Sequence, residues 1–351
     1  MPPSMEVSVT RPVAEAARRE SSLAQRLRSL ALTLLLATGG CVLVAALIER
    51  VGVAALYALL GAAAPWLPLA LALEAVRIVC EAQAARSLYR GVAAVGGTVP
   101  RWSALLHVHL LSYGVVAFAP AGRASGEALR ATLLARYVGG ARAAAVGTVS
   151  QALALVAAGL VSLPCALAAR LAGADTLAIS LLFQAIALSV LGALVLVAAR
   201  RREVGSLLRR FRKVADAGDA YVEAMHALPP LPLGALGLTL AGRGAQLLLL
   251  TTLLVAVGAH IDLRGAFVAL GALLVGTSAG DLIPGQLGAT DGALALFHTA
   301  MRVTEAQAVG TALLVHVVQL AWTLAATVGS ALHRSAAGAA RESAARRSAA
   351  A

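Results

Sequence analysis

The sequence predicts an all-α, polytopic membrane protein with about six full transmembrane helices and two re-entrant segments, eight hydrophobic segments in all. Three observations carry this. Hydrophobic residues make up 60% of the 351 and charged residues only 13%, where a soluble domain is nearer half apolar and a quarter charged. Apolar runs of the length needed to cross a bilayer, about 20 residues, recur along the chain. Two stretches of glycine, proline and charge interrupt this apolar sequence, where a lipid-facing helix would leave backbone groups unpaired. Barrel strands would alternate in polarity, and that alternation is absent.

The elements follow in order. Residues 1–28 hold five arginines and three glutamates. They are too long and polar for the start of a cleavable signal and read as a cytoplasmic tail. Residues 29–333 form one transmembrane domain, with apolar segments at about 29–48, 66–85, 98–119, 143–169, 175–199, 231–259, 265–279 and 306–332. Arg200, Arg201, Arg202, Arg209, Arg210, Arg212 and Lys213 follow the fifth segment, against a nearby Glu203. By the positive-inside rule this loop is cytoplasmic, like the basic N-terminal tail. Five full crossings would put the two on opposite sides.

The conflict disappears if 98–137 enters and leaves on the inner side. Arg86, Arg90 and Arg101 then lie inside, as do Arg123, Arg130, Arg136 and Arg142. The outer connections carry one charge of either sign: Glu49/Arg50, Arg170/Asp175, Asp262/Arg264 and Arg302/Glu305. Residues 265–300 become a second re-entrant element, dipping from outside. Residues 334–351, rich in Ala, Ser and Arg, read as a disordered cytoplasmic tail, so both termini lie inside. Between 200 and 227, Val204, Leu207, Leu208, Phe211, Val214, Tyr221, Val222 and Met225 recur at helical spacing. This is an amphipathic cytoplasmic connection, either lying on anionic lipid or simply solvated.

The net charge of +12 is accounted for by these loops. Nucleic-acid binding is excluded, since no basic stretch is interleaved with aromatics. Cys41, Cys80 and Cys165 fall in apolar segments and read as core, with no disulfide framework or metal pair. No metal site or cofactor is expected. Walker A, HExxH and GxSxG are absent, so no catalytic residue is assigned. "DGALAL" (291–296) begins like a lipid phosphotransferase motif, but Leu296 stands where that motif needs arginine.

The two interruptions share a pattern. In "APAGRASGEALR" (119–130) Pro120 precedes Glu127 by seven residues, and in "GDLIPGQLGATDG" (280–292) Pro284 precedes Asp291 by seven. Glycines lie between: Gly122 and Gly126 in the first, Gly285 and Gly288 in the second. Interrupted segments of opposite entry are the pattern of inverted-repeat transporters, whose sites lie between the breaks.

"PAGRASGEALRATLLARY" (120–137) and "IPGQLGATDGALALF" (283–297) resemble the two motifs of the lysylphosphatidylglycerol synthase transmembrane, or flippase-like, family. The resemblance spans about 29–332. Pro120, Gly122, Arg123, Gly126, Glu127 and Arg130 match the first motif, and Pro284, Gly285, Leu287 and Gly288 the second. Asp291 stands where the family usually has glutamate. Ser150, Gln151 and Ala154 replace polar residues of the family's next span, and His316 replaces an arginine of its last. The aminoacyl-transferase domain of bifunctional members has no counterpart after the last span. The resemblance implies a stand-alone lipid-translocase-like domain.

The polar residues carry two readings each. Arg123, Glu127 and Arg130 share one helical face. Either the arginines grip a lipid phosphate through their planar forks, or Glu127 neutralises them and holds the helix. Asp291, with Asp281 nearby, caps a helix N-terminus or binds a proton or a cationic headgroup. Glu74 and Arg77 neutralise each other first and serve a ligand second. Arg243 lies inside a span and faces a cavity or snorkels to the interface. His107 and His109 point to different helix faces, and His316 is a packing residue.

The expected function is a lipid flippase of the bacterial inner membrane, with a cavity made cationic by Arg123 and Arg130. Its partners would be membrane lipids, with a homo-oligomer or a separate lipid-modifying enzyme also open. The alternatives are an accessory subunit of a lipid- or glycolipid-modifying transferase, and a structural partner in an envelope complex.

Overall fold

The structure is a computed structural model that describes residues 34–35, 37–118, 122–201, 203 and 215–349, without the side chains of 117, 118, 123, 215, 216 and 330–349. Pro120, the side chain of Arg123 and most of the basic connection at 204–214 lie outside the described residues. All regular structure within them is helical.

Helix α1 (37–51) leads into α2 (Val53–Ala63) and, through a short turn, α3 (Leu67–Ala93). A hairpin of α4 (Trp102–Phe118) and α5 (Gly122–Val138) follows, then α6 (Gly140–Leu171) and α7 (Asp175–Ala199). Helix α8 (Ala215–Ala227) leads to α9 (Leu233–Ala256), α10 (Leu263–Ala279), α11 (Ala289–Leu296), α12 (His298–Met301) and α13 (Glu305–Ala349). Five stretches are long and apolar enough to span a bilayer: Val53–Ala93, α6, α7, α9 and Glu305–Gly329. Apolar side chains cover their outer surfaces, as with Ile179, Phe183 and Ile186, each at least 60% exposed. Lipid, not water, is the solvent such a surface suits.

Contacts between loops sort the connections into two ends. At one end the Thr98 N–H donates to the Tyr137 carbonyl at 2.8 Å, Arg142 reaches Glu223 at 3.0 Å and Arg200 donates to the Pro229 carbonyl. At the other, Arg50 pairs with Glu305 at 3.1 Å and Gln307 donates to the Val257 carbonyl. These are the two loop sets that the charges separated. The α4–α5 hairpin therefore starts and finishes at the first end. The α10–α12 unit starts and finishes at the second, with Gly265 against the Met301 carbonyl. The five spans run from end to end and α1 finishes at the second end beside Arg50, in keeping with a polytopic bundle with two hairpins that each return to the end they start from.

Glycine closes both hairpins. A Cβ on Gly122 would fall 2.3 Å from the Val116 carbonyl oxygen, and one on Gly126 would meet the Val116 side chain at 2.8 Å. In the second hairpin Gly276 and Gly280 lie equally close to Thr290 and Ala289, at 2.8 Å each. Small residues four apart let helix backbones approach where no water drives association.

Most of the apolar core falls into two large clusters, with two smaller ones beside them. One large cluster gathers Leu88, Leu105, Leu134, Val146, Met225 and Leu228 around the first hairpin. The other gathers Cys165, Leu181, Leu250, Leu270, Leu294 and Met301 around the second. Of the three cysteines read as core, only Cys165 is buried; Cys41 is exposed. A second difference lies at the C-terminus, where α13 continues to Ala349 through the stretch read as a disordered tail. Alanine and arginine are strong helix formers, so the composition that suggested disorder also suits a helix.

Candidate functional site

Between the two cores lies a cavity of about 230 Å³. Its walls draw on several of the polar residues that the sequence marked. Glu127 and Arg130 of α5 face it from one side, and Gly285, Gln286 and Thr290 from the other. Helices α3, α4, α6, α9, α10 and α13 complete it.

The second break is a loop with a cap. Pro284–Gln286 forms a single 3-10 turn, with Gly285 at φ 65° and Gln286 at φ 56°. Gly288 follows at φ 80°, a conformation that costs a residue with a Cβ but not glycine. Helix α11 then restarts, and Asp291 in its first turn accepts the Gly288 N–H at 2.9 Å. The expected non-helical break is present. So is the cap, but it is only half of what Asp291 does. His316 of α13 approaches both carboxylate oxygens, Nε2 lying 3.0 and 3.2 Å away. Asp291 is 1% exposed, so the histidine joins the restarted helix to the last span. His316 is a hydrogen-bonded residue, as read, but its partner was not foreseen.

In the first hairpin Arg130 is engaged twice. Its Nη1 meets Glu127 at 2.5 Å and its Nε donates to the Ser112 hydroxyl of α4 at 2.7 Å. Glu127 also accepts from Gln151 of α6. Glu127 thus holds the hairpin together, the structural reading, while both residues still line the cavity.

Helix α3 supplies what the sequence reading gave a lesser part. Arg77 donates to both oxygens of Glu74, at 2.6 to 3.1 Å, and to Glu81 at 2.5 Å. Tyr113 of α4 adds its hydroxyl to Glu74 at 2.6 Å and its ring lies 5.4 Å from the guanidinium. On α9, Arg243 donates to Gln246 at 2.8 Å and lines the cavity, which answers the choice between cavity and interface.

The cavity was expected to be cationic through Arg123 and Arg130, and the Arg123 side chain lies outside the described residues. Three carboxylates, Glu74, Glu81 and Glu127, share its wall with Arg77, Arg130 and Arg243. The reason is packing: α3 lies against α9 and α4 and turns its two acids inward. Glu81, Tyr113, Gln246 and Gln319 were not singled out. Their signal is a stripe spacing: 74, 77 and 81 on α3, and 239, 243 and 246 on α9, recur at three or four residues, one face of a helix.

His109 is buried, and its Nδ1 donates to the Leu105 carbonyl at 2.9 Å. Its Nε2 has no hydrogen-bond partner. Among the described residues no three His, Cys, Asp or Glu side chains cluster as a metal site would. The arrangement can bind and screen a charged group.

Comparison with known proteins gives one match. A family model described as "Lysylphosphatidylglycerol synthase TM region" covers residues 28–327, most of the chain. Neither the curated proteins nor the solved structures give a match.

Proposed function

Because the chain belongs to the lysylphosphatidylglycerol synthase transmembrane-region family, we propose that it is a lipid translocase of the bacterial inner membrane. The headgroup of a polar lipid crosses through the cavity while its tails stay in the bilayer. The observation that carries the reading is that one polar cavity is lined by Glu127 and Arg130, just after the first break, by Gly285 and Gln286 of the second, and by six further helices. Non-helical backbone at membrane depth needs such a cavity or a protein cover. A fixed polar path also lowers the cost of moving a headgroup through hydrocarbon.

The test is reconstitution. Purified protein in liposomes moves a tail-labelled fluorescent lipid between leaflets, read by chemical quenching of the outer leaflet. Ala154→Phe and Thr239→Phe place bulk on the cavity wall and stop that movement while the protein keeps its melting temperature. If the wild type moves no lipid of a broad headgroup panel, with or without a proton gradient, translocation fails. The accessory-subunit reading then takes its place.

The same proposal places both termini and α8 on the cytoplasmic side. With the three native cysteines replaced, Asp219→Cys stays unlabelled by an impermeant thiol reagent in intact cells and Thr176→Cys is labelled. The reverse pattern inverts the topology.

A further inference from the structure

We propose that the headgroup the cavity accepts is zwitterionic: a phosphodiester and one ammonium group, with no net charge. This rests on the translocase reading and narrows it.

The argument is charge balance. Among the described residues lining the cavity, three carboxylates face three guanidiniums, Glu74, Glu81 and Glu127 against Arg77, Arg130 and Arg243. Each sign is held by the other at 2.5 to 3.1 Å in the α3 and α5 clusters. Inside a membrane protein an added net charge is poorly screened and must be matched by a fixed one. A headgroup with only a phosphate would need a surplus of arginine. A headgroup with only an amine would need a surplus of carboxylate. Among its described residues the wall offers neither surplus. It offers both signs, and a ligand that carries both can meet each by exchanging partners within the network.

The geometry says where. Helix α9 packs on α3 so that a Cβ on Gly242 would lie 3.6 Å from the Cys80 side chain and 3.7 Å from Arg77. Arg243 and Glu81 are the next residues along each helix, and both line the cavity. Glu81 is the most open acid of the α3 and α5 clusters, its side chain 33% exposed against 5% for Glu74 and 14% for Glu127. Arg243, with Gln246 beside it, takes the phosphodiester. A guanidinium fork suits phosphate geometry. Glu81, across the α3–α9 seam, takes the ammonium.

The experiment measures binding and does not depend on translocation. Delipidated full-length protein is offered an equimolar mixture of four diacyl lipids, and the retained lipid is counted by native mass spectrometry. The lipids are phosphatidylethanolamine, phosphatidylglycerol, a trimethylammonium lipid and an uncharged glucosyl diacylglycerol. The wild type retains phosphatidylethanolamine over each of the others by about tenfold. Glu81→Gln makes the wall net positive and shifts retention toward phosphatidylglycerol. Arg243→Gln makes it net negative and shifts retention toward the trimethylammonium lipid. Misfolding cannot produce these opposite shifts. Wild-type preference for a singly charged or uncharged lipid overturns the inference and leaves the translocase reading standing. So does a shift of both variants in the same direction. Retention of none of the four overturns both.

Discussion

The two breaks share a sequence rule and differ in how they are fastened. In the first hairpin, Glu127 is matched by Arg130, three residues along the same helix. In the second, Asp291 is matched by His316, from a different helix and 25 residues away. The first acid makes a charge pair inside its own hairpin, anchored on α4 through Ser112. The second makes a contact between its hairpin and a full span. The second break is thus tied to a full span by a histidine, while the first hairpin is held from within by an arginine that always carries charge, with Gln151 of α6 as a further partner of Glu127. A movement that opens one side of the cavity has less to separate at the Asp291–His316 contact than at the Glu127–Arg130 pair. Partnering, not the shared proline-to-acid spacing, sets how firmly each break is held.

The comparison is broken most directly by neutralising each acid without changing its shape. Glu127→Gln leaves the Arg130 guanidinium, with a side chain 18% exposed, facing an amide in place of a carboxylate. Removing one partner of a buried pair costs about 3 kcal/mol or more. Asp291→Asn keeps an oxygen for the Gly288 N–H and for His316, so only the ordinary difference between hydrogen bonds is lost, about 1 kcal/mol. Thermal unfolding of the detergent-solubilised variants therefore ranks Glu127→Gln well below Asp291→Asn. The opposite ranking would show that the Asp291–His316 contact is itself a full ion pair, and the contrast between the two breaks would collapse.

Much of this was legible in the sequence, for a physical reason. Glycine and proline clustered with charged residues favour a break, where a lone Pro164 stays inside α6, and loop charges sort the connections into two sets, so Pro284 to Gly288 and the two hairpins were open to reading. Arg243 was legible because an arginine inside a span must have a polar place to go. The pairing of Asp291 with His316 was not, because it depends on how α11 and α13 pack, which no local spacing encodes. The same holds for Ser112 and Arg130. The acids of the cavity wall were not foreseen because those of α3 were judged with their own neighbour, Arg77, and not with the wall they join. The stripe at 74, 77 and 81 was visible; that it faced the same space as Arg243 and Arg130 was not.

The smallest effect concerns how each hairpin begins. Helix α10, the first arm of the second hairpin, starts at a cap: the Asp262 carboxylate accepts the Gly265 N–H at 2.7 Å. That hydrogen bond, with Arg264 and Arg302 nearby, holds the Asp262 carboxyl below its usual range despite some opposing desolvation. A carboxyl depressed in the folded state stabilises above its unfolded pKa, and that stabilisation is lost as pH falls through the folded value. Asp262→Ala therefore lowers the melting temperature slightly near neutral pH. The gap between variant and wild type stays constant down to about pH 5 and closes below about pH 3.9, the ordinary aspartate value. Asp262→Asn keeps the cap, since asparagine serves that position as well as aspartate, and loses the charge. It should sit between the two at neutral pH, and its gap to Asp262→Ala should not change with pH. If the Asp262→Ala gap instead persists undiminished to low pH, the cap acts through backbone geometry and not through the ionised carboxylate. Lipid movement is the second readout. Asp262 lies at the same end as Arg50 and Glu305 and is not among the residues lining the cavity, so neither variant changes the rate by as much as the plugging substitutions Ala154→Phe and Thr239→Phe.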